Sequence, residues 1–312
     1  VRARGEAMGA ATHAKAGLRR GLLDGVPISW KDLFDSADIA TEAGSALLRG
    51  RIPLRDAEVL TTATAQGLVC LGKTHMSELA FSGLGLNPVT ASPPCINDTN
   101  AVAGGSSSGA AASVAWGLAP AAIGSDTGGS VRIPAAWNDL VGLKTTTGRL
   151  SLRGVVPLCE RFDTVGPLAH TVGDCSLLLA ALEGRKPADL TGSTLSGARL
   201  LVLETVALDD LRDEPARGFD DALERHREQH NRNQAALQIA QQGAQSASRS
   251  RTRKVPPFDE WVKQGFLTIP LFLWDENHTE EIKAEAVRIV NDQEIVAEHA
   301  AGNATKHVDF QR

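Results

Sequence analysis

Two clusters of serine and glycine stand out in this chain of 312 residues: Gly104 to Gly109, which reads Gly-Gly-Ser-Ser-Ser-Gly, and Gly128-Gly129-Ser130. An alanine-rich segment almost free of charge joins them. Serines beside paired glycines suit nucleophilic chemistry, because glycine lets the backbone turn sharply and bring N–H groups close to a reacting atom. A phosphate cradle of the P-loop kind would place a lysine and then a serine or threonine after the second glycine. Here Ala110 and Ala111 follow Gly109, so acyl transfer is the better reading. A serine hydroxyl is a poor nucleophile at neutral pH and needs a base. No histidine is placed for that role, and Gly128-Gly129-Ser130-Val131-Arg132 is not a G-x-S-x-G nucleophile elbow. A different base has to be found.

Three blocks in fixed order answer that need: Gly25-Val-Pro-Ile-Ser-Trp-Lys-Asp32, the first serine cluster, and Gly124-Ser-Asp-Thr-Gly-Gly-Ser-Val-Arg-Ile-Pro134. In types, order and the interval from Ser106 to Ser130, they resemble the amidase signature hydrolases, which use a Ser-cisSer-Lys triad. The resemblance implies that Ser130 attacks an amide carbonyl, Ser106 relays the proton after a cis Gly105–Ser106 peptide bond, and Lys31 receives it. It further implies an oxyanion hole built from the backbone N–H groups of Thr127, Gly128, Gly129 and Ser130. Ser107, with Ser108, is expected to cap the following helix or support the triad, and Asp126 to anchor the loop by hydrogen bonds. Arg132 is expected to brace the fold rather than bind an acidic substrate. Neither a metal nor an organic cofactor is implied, and the substrate is a small-molecule amide. From position alone Lys31 would read as a surface group at the end of a strand; the resemblance reverses that reading.

These residues need elements to hold them. Residues 6–20 read as a short alanine-rich helix ending near Gly21 and Gly25, and Gly25 to Trp30 alternates like a strand that delivers Lys31. Ala57 to Gly67 reads as a helix with Val59, Leu60 and Ala63 on one face, followed by a strand at Leu68 to Leu71. Thr74 to Phe81 reads as another short helix capped by Thr74. Small residues from Ser107 to Gly117 make a helix able to lie deep against a sheet, Ala121 to Gly124 a buried strand, and Pro134 to Trp137 the start of a helix with proline in its first turn. Val141 to Leu143 is a further strand, and Gly154 to Leu158 and Phe162 to Pro167 read as turns that bind the sheet together. Val172 to Gly184 is a helix presenting Cys175, Leu178, Leu179 and Leu182; a strand at Leu200 to Leu203 and a helix from Pro215 follow. The strand, helix, strand rhythm, together with the resemblance, gives an α/β class: a mixed, largely parallel sheet covered by helices on both faces.

The resemblance covers residues 1–225. Residues 226–254 are polar, repetitive in Gln, Ala, Ser and Arg, and read as a linker or loosely held helix. Residues 255–312 read as a divergent tail, with an apolar stretch from Phe266 to Trp274 and a helical pattern from Asn277 to Ala300. The basic run Arg249, Arg251, Arg253 and Lys254 reads as solvated linker.

Composition excludes several classes. A net charge of −5 argues against a nucleic-acid protein. Cys70, Cys95, Cys159 and Cys175 are too widely spaced for a metal knuckle or a disulfide scaffold and read as reduced thiols, with a cytoplasmic location expected. The first residues carry no apolar signal core, and no run reaches membrane-spanning length. His75 with Glu78 and His226 with His230 have ligand-like spacing, but neither pair has a third ligand. A homodimer is compatible with all of this. Three functions compete: a free-standing amidase, one component of a glutamine amidotransferase that works with partner subunits, and an amidase fold impaired by its replaced C-terminal region. Ile133, where amidotransferases of this kind tend to carry glutamine, favours the plain amidase.

Overall fold

Side chains along the first strand divide between two environments. In β1 (Pro27–Lys31), Ile28 and Trp30 enter one apolar layer, whereas Ser29 reaches the other side of the sheet and bonds Ser113 at 2.7 Å. Lys31, two residues further on, follows Ser29. Residues 1–191, 193, 202, 208–209 and 211–246 are described by the computed structural model. In chain order the other elements are α1 (Arg2–Lys15), α2 (Glu58–Ala65), β2 (Val69–Thr74), α3 (Ser108–Ala115) and β3 (Ala121–Ser125). They are followed by α4 (Arg132–Trp137), β4 (Val141–Gly142), β5 (Val165–Ala169), α5 (Val172–Glu183) and α6 (Asp213–Ser246).

The sheet has the order β2-β1-β3-β5-β4. β1 is parallel to both neighbours, and β5 is antiparallel to β3 and β4, so every strand but β5 points one way. The chain passes from β1 to β2 through α2 on one face and returns past β1 to β3 through α3 on the other. Right-handed crossovers demand that change of face when the direction along the sheet reverses. Alternation in β3 follows suit: Ala121 and Ile123 pack with α2 and α5, while Ala122 packs with α3 and α4. Helices thus cover both faces of a mixed sheet whose strands mostly run parallel.

Each helix is cut to its place. α2 buries Val59, Leu60 and Ala63, one stripe of a 3.6-residue period, against α5. In α5 the Thr171 hydroxyl accepts the Asp174 N–H at 3.0 Å, and Gly184 closes the helix at φ 67°, where a side chain would be strained. Cys175, Leu178 and Leu182 are buried as the periodicity requires; Leu179 is only partly covered. The small residues of α3 let it sit flush on the sheet, with Ala110, Ala111 and Val114 fully buried.

Several elements differ from the sequence reading. The first helix spans Arg2–Lys15 rather than 6–20, held at its start by Arg2, which pairs with Asp56 across the fold at 2.6 Å. Thr74 ends β2 and caps nothing; a single 3-10 turn at Glu78–Ala80 replaces the expected helix, because Leu79 adopts φ 48° and the Ser77 N–H is taken by the Ser106 carbonyl at 3.1 Å. α4 starts two residues before Pro134. The stretch 162–167 read as turns holds the start of β5, whose residues 165–169 all pair with β3. Residues 226–246 continue α6 without a break at 225, as expected of a run rich in Ala, Gln, Glu and Arg. The chain divides into two compact units, Val1–Asp189 and Leu190–Arg312. The strand expected at Leu200–Leu203, the tail from 255 and the basic run lie outside the described residues.

Candidate active site

β1 and β3 end side by side, with Trp30 paired to Ile123, so Lys31 comes level with the Gly124–Ser125 end of β3. The chain leaves these two strands in opposite directions along the sheet, which opens a crevice at their carboxyl ends. The loop before α3 drops into that crevice. Gly105 donates its N–H to the Gly83 carbonyl at 2.7 Å, and a Cβ at Gly105 would meet the Gly85 nitrogen at 2.5 Å, so only glycine fits there. The Gly105–Ser106 peptide bond is cis, as the resemblance implied.

Lys31 and Ser106 are both 0 % exposed. The Lys31 amine donates to Ser106 Oγ at 2.6 Å and to Ser125 Oγ at 2.8 Å, with the Ser125 carbonyl at 3.4 Å. Burial lowers the pKa of Lys31 from 10.5 to about 7, against the opposing pull of Asp126 and Asp163. Burial thus favours the neutral form of an amine that would be charged in water. Ser130 is tied to the same loop through its carbonyl, which accepts the Ser107 N–H at 3.2 Å. Its hydroxyl forms no hydrogen bond among the described residues, and the residue is 8 % exposed.

Asp126 organises the second serine loop. Its carboxylate accepts the N–H groups of Gly129, Val131 and Arg132 and the guanidinium of Arg132, and Lys144 lies 3.3 Å away. Burial alone would raise this carboxyl, but the Arg132 hydrogen bond and charge, Lys144 and the Val131 N–H outweigh it and bring the pKa to about 2. Asp126 therefore anchors the loop and Arg132 braces it. The Gly129 N–H, counted among the oxyanion donors, is already taken by Asp126 at 2.8 Å. Thr127, Gly128 and Ser130 keep N–H groups with no acceptor among the described residues. Gly129 holds φ 131°, a conformation that residues with a side chain rarely adopt. Ser107 stands at the N-cap of α3 without capping it; its hydroxyl donates instead to the Ser125 carbonyl at 3.3 Å. The Ser108 hydroxyl is buried and has no hydrogen bond among the described residues.

Sequence reasoning missed three participants. Ser125 holds the Lys31 amine, Asp163 accepts the Thr127 hydroxyl, and Lys144 bonds the backbone of the serine loop. Ser125 lies inside a recognised block, but its meeting with Lys31 depends on strand order. Asp163 and Lys144 come from segments read as connections. Of the other candidates, Glu78 accepts the Ser45 hydroxyl at 2.7 Å.

Fold and site together define an α/β protein with a buried serine-lysine pair, rather than serine-histidine, at the carboxyl edge of its parallel strands. The amidase family's sequence profile matches residues 2–207, and the chain belongs to that family. Among its relatives is a glutamyl-tRNA(Gln) amidotransferase subunit from Anaeromyxobacter dehalogenans strain 2CP-C, 47% identical over 195 residues, which are 62% of this chain and 39% of that one. The chain thus spans about two fifths of the length of such relatives. The native peptide amidase from Stenotrophomonas maltophilia is 36% identical with a TM-score of 0.55, covering 63% of this chain and 41% of that one. A Bacillus anthracis amidase family protein matches at 34% identity and a TM-score of 0.54, covering 57% and 37%.

Proposed function

We propose that the chain carries the chemistry of an amidase, cleaving a carboxamide C–N bond to a carboxylate and ammonia or an amine through an acyl-enzyme on Ser130. The observation that carries this reading is a fully buried lysine of lowered basicity, 2.6 Å from the hydroxyl of Ser106. In its neutral form Lys31 keeps an N–H toward Ser125 and turns its lone pair to Ser106. As Ser130 Oγ bonds to the carbonyl carbon, its proton passes to Ser106 Oγ, and the proton of Ser106 passes to Lys31 Nζ. The carbonyl oxygen takes the negative charge and is met by the N–H groups of Thr127, Gly128 and Ser130, where losing one donor costs about 10²–10³ in rate. Collapse breaks the C–N bond, and the leaving nitrogen regains a proton along the same path. Water then repeats the sequence on the ester and frees Ser130. No step uses a metal or a cofactor.

The names of the sequence relatives support a second reading, in which the same site hydrolyses glutamine and passes ammonia to partner subunits. Ile133, where glutamine is expected in such proteins, speaks for the plain amidase. The two are separated by assaying simple carboxamides and glutamine with this chain alone. Turnover of carboxamides supports the first reading, and ammonia release from glutamine that depends on partner subunits supports the second.

The central test is fluorophosphonate labelling read by intact mass and peptide mapping. One adduct at Ser130, abolished by Ser130→Ala, is the expected result. An adduct on another serine overturns the assignment, and a folded chain with no adduct supports an impaired amidase fold.

A further inference from the structure

Lys144 is absent from the proton path, yet its amine sits directly behind the serine loop. It donates to the Asp126 carbonyl at 2.7 Å and to the Thr164 hydroxyl at 3.2 Å, with the Thr127 carbonyl at 3.4 Å. The Asp126 carbonyl is pinned further by the Thr164 N–H at 3.1 Å and the Thr164 hydroxyl at 2.7 Å. A trans peptide unit is planar, so its N–H points opposite to its C=O. Clamping the carbonyls of Asp126 and Thr127 on one side therefore turns the N–H groups of Thr127 and Gly128 to the other. Those are two of the groups left without an acceptor among the described residues.

The lysine is itself held firmly. Leu143 donates its N–H to the Pro167 carbonyl at 3.1 Å, and Thr145 donates its hydroxyl to the Val165 carbonyl at 2.8 Å. The backbone on either side of Lys144 is thus fixed to β5, and the amine is delivered to one place. A cation at the carbonyl end of two aligned peptide dipoles also polarises them, making their N–H ends stronger donors.

We infer that Lys144 is a positioning residue for the oxyanion site, aiming and polarising the Thr127 and Gly128 N–H groups from behind without touching substrate. This rests on the reading of Ser130 as the nucleophile. The test uses the whole chain and a fluorophosphonate probe, separating the maximal inactivation rate from the half-saturating concentration across pH. For Lys144→Met the maximal rate is expected to fall about 10²-fold, the size of one lost oxyanion donor. The half-saturating concentration should change less than threefold, and the midpoint of the pH profile should stay that of the wild type. Lys144→Arg, which restores a cation and donors, should recover at least tenfold of the loss.

A general loosening of the site would behave differently, weakening probe binding and moving the pH midpoint upward as Lys31 meets water. That pattern overturns the inference, as does an unchanged labelling rate in Lys144→Met. If Lys144→Met does not fold, Lys144→Gln serves: at least a tenfold fall in maximal rate supports the role, and wild-type labelling overturns it. A wild-type chain that does not label at Ser130 overturns both this inference and the reading beneath it.

Discussion

At the scale of single residues, the fold holds Lys31 in a state that water would not allow. Its folded pKa of about 7 lies below the unfolded 10.5, so the unfolded chain binds more protons between those values and stability rises with pH across that window. Below about pH 7 the full penalty applies, on the order of 5 kcal/mol. Lys31→Met is therefore expected to be inactive yet to melt higher than the wild type at pH 6, an advantage that fades as the pH approaches 10. Calorimetry at several pH values checks this. Activity or labelling should rise with pH through a single ionisation near 7, and Lys31→Arg should be no better than Lys31→Ala, because a guanidinium stays protonated. Near-normal rates in Lys31→Arg would make Lys31 a structural charge. Asp126 has the opposite sign: with its pKa lowered from 3.8 to about 2, its contribution is present above about pH 4 and is lost as pH falls through 2. Asp126→Asn removes the buried carboxylate that Arg132 and Lys144 share and should destabilise by about 3 kcal/mol in urea titrations at pH 7. A loss below 1 kcal/mol would mean that the loop is held mainly by its other bonds.

Helices and strands act here by placing ends. β1 and β3 carry Lys31 and Ser125 to one edge, and the alanine-rich α3 brings the first serine loop over them by lying close to the sheet. α5 is the weight on the opposite face. Leu178 is 2 % exposed and packs in the layer shared by α2 and the sheet, so Leu178→Ala should destabilise by about 3 kcal/mol by leaving a cavity. Because that layer lies across the sheet from the serine loops, labelling at Ser130 well below the melting temperature should stay within threefold of wild type. Loss of labelling in a still-folded Leu178→Ala would show that the two faces are coupled.

For the molecule as a whole, both apolar clusters and every candidate site residue belong to the unit Val1–Asp189. A chain ended at Asp189 is expected to unfold cooperatively in urea and to label at Ser130 within threefold of the full chain. Aggregation, or loss of labelling with a sound fold, would mean that residues beyond 189 complete the core or the cleft. No helix among the described residues is long and apolar enough to cross a membrane.

What the sequence determined by itself was local or carried by a dense motif. The period of Val59, Leu60 and Ala63 marks α2, the spacing of Cys175, Leu178 and Leu182 marks α5, and three blocks in order carry the family resemblance that gives the fold class and proposes Lys31, Ser106 and Ser130 as the triad. These are legible because helix periodicity and tight-turn glycines act over a few neighbouring residues. Tertiary structure alone decided the rest. Phe162 to Pro167 reads as a turn because Val165-Gly-Pro167 looks like a loop until β3 and β4 supply partners for β5. Ser125 reaches Lys31 only because β1 and β3 are neighbours in register, and Lys144 and Asp163 reach the serine loop only because β5 brings their segments beneath it. That the Gly129 N–H is taken by Asp126 follows from how the loop folds around one buried carboxylate. The contacts of Ser125, Asp163 and Lys144 join residues 94, 36 and 18 positions apart, and nothing in the local sequence encodes the distance between them.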